Sequence, residues 1–290
     1  MFEGLFTALV TPFRNDALDE PALRDLVEGQ VASGVDGIVP CGSTGEAATL
    51  SHAEHCRVVE VCVEAARGRV QVLAGTGSNS TRESIELTRH ARDAGADGAL
   101  LISPYYNKPT QEGLVAHFAA IARESGLPLV VYNIPGRTAS NILPETMARL
   151  AEIELVVGVK ESCGDIAQIS RVVATCPESF AVLSGDDALT LPIIAIGGRG
   201  VISTTSNVAP RQMVELVAAA RAGQLARARE IHLRLMPLFD ALFCETNPIP
   251  VKAALVLLGL VEDEIRLPLT RLVAAKRDRL QAVLKEQGIL

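Results

Sequence analysis

Lysine is scarce in this 290-residue sequence, and one of its five lysines has an unusual position. Lys160 directly follows the apolar run Leu155–Val159, which is typical of a buried strand. An amine at a partly desolvated strand end has a lowered pKa, so a neutral nucleophile becomes available. Lys160 therefore indicates Schiff-base chemistry with a carbonyl substrate. The alternative is a lysine that forms a structural ion pair at the rim of the sheet.

All three tyrosines lie at the ends of apolar runs. Tyr105 and Tyr106 follow one run, and Tyr132 is close to the end of the next. Neighbouring strands are about 4.8 Å apart, so the Tyr132 hydroxyl can reach a group bonded to Lys160. Tyr132 is therefore a candidate proton shuttle, although such a tyrosine can equally cap the core with its hydroxyl in water.

Two further features suit the binding of a carboxylate. The turn Gly42–Glu46 offers backbone N–H groups and the hydroxyls of Ser43 and Thr44 to an anion. Arg137, on a loop after Asn133, can hold a carboxylate bidentately, although loop arginines are more often solvated. The sequence therefore favours a small anionic substrate.

These residues require a scaffold that brings strand ends together. Short β-rich runs alternate with segments of helical length, which predicts an α/β fold with a parallel sheet. Eight strands within roughly 210 residues favour a closed (β/α)₈ TIM barrel, whose active site lies at the carboxyl ends of the strands. The predicted strands are Phe6–Val10, Gly37–Pro40, Val70–Ala74, Gly98–Ser103, Leu129–Asn133, Leu155–Lys160, Ala181–Ser184 and Gly200–Ser203.

Helix signals agree with this alternation. Ser51 and Ser80 are candidate N-caps, and Pro144 and Pro210 suit a first helical turn. From residue 211 onwards the pattern is helical only, and no flexible linker interrupts it. We therefore predict a catalytic barrel domain over residues 1–222 and a packed C-terminal helical extension over residues 223–290. Predicted helical segments in the barrel are Ser51–Arg67, Thr81–Ala94, Gln111–Glu124 and Pro144–Leu150.

Composition excludes several classes of protein. The net charge of -7 and the aromatic content of 3% argue against a nucleic-acid surface. The six cysteines form no C-x-x-C pair, and no apolar run is long enough to span a membrane. Gly75–Gly77 lacks a dinucleotide fingerprint, and His52 and His55 lack a third metal ligand. We therefore expect a cytoplasmic protein with reduced thiols, no bound metal and no NAD.

Six ordered motifs together resemble the pyruvate-dependent class I aldolase superfamily, and within it the dihydrodipicolinate synthase family, also named for 4-hydroxy-tetrahydrodipicolinate. The resemblance covers nearly the whole chain. The motifs are Gly42–Glu46, Pro104–Pro109, Tyr132–Thr138, Gly158–Glu161, Ser184–Asp187 and Asn247–Lys252.

The resemblance implies a lyase of lysine and diaminopimelate biosynthesis. Lys160 would form an imine with pyruvate, and the derived enamine would attack L-aspartate 4-semialdehyde to give 4-hydroxy-tetrahydrodipicolinate. No cofactor is implied beyond this covalent Schiff base. A hydroxyl triad would relay protons through Tyr132, Thr44 and Tyr106. Tyr106 would come from a second subunit of a homotetramer built as a dimer of dimers.

The resemblance also assigns binding roles. Ser43 and Thr44 would bind the pyruvate carboxylate, with Gly185 and Ile202 lining its pocket. Arg137 would hold the carboxylate of the semialdehyde. Ser43 departs from the threonine common in the family, but it keeps the hydroxyl.

Inhibition by L-lysine is a further implication. Ala47 replaces a serine that is common in sensitive members, so weak inhibition is expected. The remaining residues of the lysine site would be Ala48, His52, His55, Asn79, Glu83 and Tyr105.

Three alternatives differ in what they predict. A sugar-acid aldolase or dehydratase, similar to N-acetylneuraminate lyase or a 2-keto-3-deoxy-sugar-acid aldolase, would share the lysine and accept longer aldehydes. A non-catalytic keto-acid sensor would show damage to Lys160, Tyr132 or Arg137, and none is visible. A phosphate-handling isomerase would use Gly197–Gly200, but this cluster precedes its strand and so lies at the wrong end of a barrel.

Overall fold

The computed structural model describes residues 2–290, and its central feature is a closed barrel of eight parallel strands. The barrel strands are β1 (Gly4–Ala8), β4 (Gly37–Val39), β5 (Gln71–Gly75), β6 (Gly98–Ile102), β7 (Leu129–Asn133), β8 (Val156–Glu161), β9 (Ala181–Ser184) and β10 (Gly200–Ser203). Two further strands, β2 (Phe13–Arg14) and β3 (Ala17–Leu18), form a small antiparallel hairpin that the sequence patterns did not predict. Around the barrel the strands follow the order β1, β10, β9, β8, β7, β6, β5 and β4, and β4 pairs with β1 to close it.

Helices follow the strands and surround the barrel, so the predicted (β/α)₈ fold with C-terminal helices is confirmed. The helices of the surrounding ring are α1 (Glu20–Ser33), α2 (His52–Ala66), α3 (Thr81–Asp93), α4 (Gln111–Ser125), α5 (Pro135–Thr138), α6 (Pro144–Ala151), α7 (Ile166–Thr175), α8 (Thr190–Ala195) and α9 (Pro210–Arg221). The C-terminal helices are α10 (Leu225–Leu242), α11 (Ile249–Leu257) and α12 (Ala274–Glu286).

Local capping chemistry sets several helix starts as predicted. Ser51 forms a capping box with Glu54 at the start of α2, and the Ser80 hydroxyl accepts a hydrogen bond from the first turn of α3. Pro144 and Pro210 begin α6 and α9. The two serine caps satisfy backbone N–H groups in the first turns of α2 and α3 that would otherwise lack partners.

Two hydrophobic clusters stabilise the fold. The larger lies between the strands and the helices and includes residues of α10, α11 and α12. The smaller fills the barrel interior, where Phe6, Leu100 and Leu183 pack with Tyr132 and Ile202. The site residues Tyr132 and Ile202 are therefore held by rigid core packing.

The C-terminal region is less helical than predicted. Between α11 and α12 the chain runs without a helix from Leu258 to Val273, although the whole region was expected to be helical. The predicted domain boundary at residue 222 lies between α9 and α10 and stays a prediction. No helix within residues 2–290 is long and apolar enough to cross a membrane, and location in the cytoplasm stays a prediction.

Candidate active site

Lys160 and Tyr132 lie side by side at the carboxyl ends of two neighbouring strands. In the parallel pairing of β7 with β8, Tyr132 is the register partner of Lys160. The Lys160 Nζ atom is 4.2 Å from the centre of the Tyr132 ring. Both side chains are buried, at 7% and 6% exposure. The structure therefore brings together the candidate nucleophile and the candidate proton shuttle at the mouth of the barrel.

Burial changes the acidity of both groups. Desolvation is the main cause that lowers the pKa of Lys160 to about 8; the negative charge of Asp187 opposes this shift, and the positive charge of Arg137 contributes to it. Burial also raises the pKa of Tyr132 to about 12. Near neutral pH a fraction of the amine is therefore uncharged, whereas the phenol keeps its proton. This pairing suits nucleophilic attack by Lys160 and proton donation by Tyr132.

Gly185 leaves the space that the Lys160 side chain needs. A Cβ atom at this position would lie 2.8 Å from Lys160 Cε and would also collide with the Ser162 hydroxyl. Only glycine allows the loop after β9 to approach the lysine this closely. Ile202, on β10, is buried in the interior cluster with Tyr132. Gly185 therefore lies next to the lysine, and Ile202 belongs to the same buried cluster as the tyrosine.

We call the predicted carboxylate-binding segment Gly42–Glu46 the anion-binding turn. It follows β4, and two backbone hydrogen bonds close it, from Gly45 N to Gly42 O and from Glu46 N to Ser43 O. Thr44 is buried, and its hydroxyl accepts a hydrogen bond from Asn247 Nδ2 at 2.9 Å. The turn is thus fixed in one conformation, as an anion site requires.

Arg137 lies at the opening of the site and is the third residue of the one-turn helix α5. Its Nη2 atom donates a hydrogen bond to the backbone oxygen of Asn247 at 3.0 Å. Arg137 is otherwise exposed and lines the same cavity as Tyr132, Ser43 and Asn247. Its guanidinium therefore has free donors for a second substrate group.

Asn247 was missed as a site residue by the sequence reasoning. It contacts both Thr44 and Arg137, and its side-chain oxygen is buried without a partner among residues 2–290. Its motif was noted without a role, because 203 residues separate Asn247 from Thr44. The C-terminal region thus contributes directly to the mouth of the barrel.

Asp187 was also missed. Its Oδ2 atom accepts hydrogen bonds from the backbone N–H groups of Thr204 and Thr205 and from the Thr205 hydroxyl. Burial raises the pKa of Asp187, and its charge raises the pKa of Lys160. The carboxylate therefore joins the loops after β9 and β10 and moderates the effect of burial on Lys160.

The cavity, about 460 Å³ in volume, extends from the barrel mouth to a second group of predicted residues. His52 Nε2 lies 2.7 Å from Glu83 Oε1, and the buried His55 contacts the backbone oxygen of Gly75 at 2.8 Å. Asn79 donates a hydrogen bond to the backbone oxygen of Tyr105. The residues of the second group that line the cavity are Ala47, Ala48, His52, His55, Glu83 and Tyr105.

Tyr106 is placed differently from the other predicted site residues. Its side chain is 88% exposed, and its backbone has a φ of 71°, in the left-handed region that tyrosine rarely adopts. Within a single chain it contacts neither Tyr132 nor Thr44 closely enough to hydrogen bond. Its predicted role depends on a second subunit.

Comparison with known proteins bears on this site. A family model described as the dihydrodipicolinate synthetase family matches residues 1–287. The 4-hydroxy-tetrahydrodipicolinate synthase of Syntrophus aciditrophicus (strain SB) is 55% identical over 290 residues, which is 100% of each chain.

Solved structures give the same result. Dihydrodipicolinate synthase from Aquifex aeolicus is 50% identical, with a TM-score of 0.98 over 99% of each chain. A dihydrodipicolinate synthase (DHDPS) from Cyanidioschyzon merolae, solved with lysine bound, is 41% identical. Its TM-score is 0.97 over 100% of this chain and 99% of that one. The motif resemblance and the prediction of an enzyme are confirmed, and the chain belongs to the dihydrodipicolinate synthetase family.

Proposed function

We propose that the protein condenses pyruvate with L-aspartate 4-semialdehyde to give 4-hydroxy-tetrahydrodipicolinate, in the pathway to diaminopimelate and lysine. The observation that carries this proposal is the buried Lys160 amine, 4.2 Å from the Tyr132 ring at the carboxyl end of β8. Family membership supports the choice of reaction, because the similar proteins carry the name of this synthase.

The first step forms the covalent intermediate. The neutral Lys160 amine attacks the keto carbon of pyruvate, and a C–N bond forms. Protonation of the former keto oxygen lets it leave as water, which gives an imine on Lys160. A pKa of about 8 makes the neutral amine available near neutral pH. Tyr132, whose pKa burial raises to about 12, is a donor for that oxygen.

Carbon–carbon bond formation follows. Loss of a methyl proton from the imine gives an enamine, whose carbon attacks the aldehyde carbon of the semialdehyde. The aldehyde oxygen takes up a proton through the proposed relay of Tyr132, Thr44 and Tyr106. The amino group of the semialdehyde then displaces Lys160 from the imine carbon, which closes the ring and regenerates the free amine without any cofactor.

The two substrate carboxylates would occupy different parts of the site. Ser43 and Thr44 on the anion-binding turn would bind that of pyruvate, with Gly185 and Ile202 beside it. The turn is closed by its own backbone hydrogen bonds; Ser43 lines the cavity, and the neighbouring Thr44 is buried with its hydroxyl bonded to Asn247. Arg137 would bind the carboxylate of the semialdehyde at the opening.

Borohydride trapping tests this function. Protein incubated with pyruvate and borohydride is digested and analysed by mass spectrometry, with turnover of the semialdehyde measured alongside. A pyruvate adduct on Lys160 together with rapid turnover is expected. An adduct without turnover would instead indicate a sugar-acid aldolase, and the absence of any adduct would indicate a keto-acid sensor.

Replacing Arg137 with glutamine is expected to raise the KM for the semialdehyde about 10- to 100-fold, because a charge-assisted bidentate contact is lost. The concentration of pyruvate that half-saturates borohydride trapping should stay within about threefold of wild type. Steady-state kinetics with each substrate varied in turn gives both values. An equal loss of affinity for both substrates would contradict the assignment of Arg137 to the second substrate.

We further propose that Tyr106 acts across a subunit interface in a homotetramer built as a dimer of dimers. Two observations support this: the Tyr106 side chain is 88% exposed, and its backbone is held in the left-handed region. A large aromatic side chain presented in this way is typical of an interface. Because one subunit alone would lack the third hydroxyl of the relay, dissociation should lower turnover.

L-Lysine is the proposed inhibitor, bound by Ala48, His52, His55, Asn79, Glu83 and Tyr105. The Glu83 carboxylate suits the ammonium groups of lysine, and five of these six residues line the cavity. We expect millimolar L-lysine to inhibit the wild type partially and to leave Glu83→Gln uninhibited. Turnover of each protein without L-lysine is the reference. An unchanged wild-type rate in millimolar lysine would remove this proposal.

A further inference from the structure

No step of the proposed reaction uses the segment Asn247–Lys252, although this segment makes two contacts with the anion-binding turn. Its first residue donates a hydrogen bond to Thr44, and its last residue, Lys252, reaches Glu46. The segment begins beside α11 and ends within it. One short stretch of the C-terminal region therefore contacts the turn at two positions, Thr44 and Glu46.

The contact between Lys252 and Glu46 is a buried ion pair. Lys252 Nζ lies 2.5 Å from Glu46 Oε1, and each residue is only 4% exposed. The ammonium group also lies 4.5 Å from the centre of the Phe13 ring. The other carboxylate oxygen, Oε2, accepts a hydrogen bond from the backbone N–H of Arg266 at 3.1 Å. Both charges are therefore compensated, as a pair removed from water requires.

The backbone of Glu46 adopts a strained conformation. Glu46 has a φ of 53°, in the left-handed region where glycine is the residue without strain. A glutamate at such a position needs a compensating interaction, and the ion pair supplies it. Thr11 anchors the preceding residue by donating a hydrogen bond to the backbone oxygen of Gly45 at 2.6 Å. The conformation of the turn thus depends on contacts made by distant parts of the chain.

We propose that Glu46 and Lys252 are positioning residues for the keto-acid carboxylate, because their buried ion pair fixes the anion-binding turn against α11. Neither residue needs to touch the substrate. Their effect reaches it through Ser43 and Thr44, which immediately precede the last two residues of the turn. This inference rests on the proposed function, in which these hydroxyls bind pyruvate.

The test compares the double variant Glu46→Gln/Lys252→Met with wild type. Removing both charges avoids an unpaired buried charge, which would make a single variant prone to misfolding. Glutamine keeps an acceptor for the Arg266 N–H. We expect the pyruvate concentration that half-saturates borohydride trapping on Lys160 to rise at least about tenfold, since small misplacements of binding groups cost this much. The KM for the semialdehyde should change less than about threefold.

Lys276→Met is the matched control. Lys276 also lies in the C-terminal region and pairs with Glu245 at 3.1 Å, but it does not contact the turn. Its half-saturating pyruvate concentration should equal that of wild type. The single variant Lys252→Arg keeps a positive charge opposite Glu46. Its half-saturating pyruvate concentration should therefore lie between those of wild type and the double variant.

Each outcome has one interpretation. A folded double variant with wild-type half-saturation overturns the positioning role while the proposed function stands, because wild type still forms the adduct. Equal losses for both substrates, or a loss shared with Lys276→Met, indicate a general structural effect and also overturn it. Absence of the adduct in wild type overturns the proposed function, and this inference fails with it.

Discussion

Replacement of Lys160 by methionine is expected to abolish the pyruvate adduct and to lower turnover by at least about 10³-fold, since no group is left to form the imine. Methionine keeps the length and apolar character of the lysine stem. Because burial already disfavours the charged amine, the substitution should not lower the melting temperature. Intact-protein mass spectrometry after borohydride reduction measures the adduct directly.

The structure provides a control and an informative contrary result. Lys285→Met changes an exposed lysine at the end of α12 and should leave trapping and turnover unchanged. Within residues 2–290, Lys252 is the other buried lysine. A pyruvate adduct that survives in Lys160→Met and maps to Lys252 would show that the nucleophile has been wrongly assigned.

Replacement of Tyr132 by phenylalanine should lower turnover by about 10²- to 10⁴-fold, the usual contribution of a positioned acid or base. The ring that packs in the barrel interior is retained, so the fold should be unaffected. Because Lys160 remains, prolonged incubation with pyruvate and borohydride should still label it. Stopped-flow measurement of imine formation and steady-state turnover separate these two effects.

The pKa values of Tyr132 and Lys160 predict how turnover of Tyr132→Phe depends on pH. Burial raises the pKa of Tyr132 to about 12, so its proton is present throughout the pH range in which Lys160, with a pKa of about 8, changes charge. Turnover of Tyr132→Phe should therefore stay low at every pH between about 6 and 9, the range of ordinary assays. A variant that retains wild-type turnover at any pH in this range would exclude Tyr132 from the relay.

Local sequence patterns were sufficient for the barrel. Each strand is a short apolar run bounded by polar or glycine-rich residues, and a strand buried on both faces must have this composition. The strand ends then indicated Lys160 and Tyr132, because parallel strands bring their carboxyl ends to one rim. Short elements were harder: α5 and the β2–β3 hairpin span too few residues for a period to be recognised.

Long-range contacts were beyond such reasoning. No local pattern shows that Asn247 reaches Thr44, or that Lys252 pairs with Glu46. The partners are opposite charges or complementary polar groups, but the sequence offers many such combinations. Only the folded chain selects these two, because it places one C-terminal segment beside the anion-binding turn.

The distance along the chain between Glu46 and Lys252 also has a consequence for synthesis on the ribosome. The two residues are 206 positions apart, so at typical elongation rates roughly 10–40 s separate their addition to the nascent chain. All eight barrel strands are made before Lys252 is added. A nascent chain can thus hold every strand of the barrel while Glu46 still lacks its partner, and the site becomes complete only after the last barrel strand has been made.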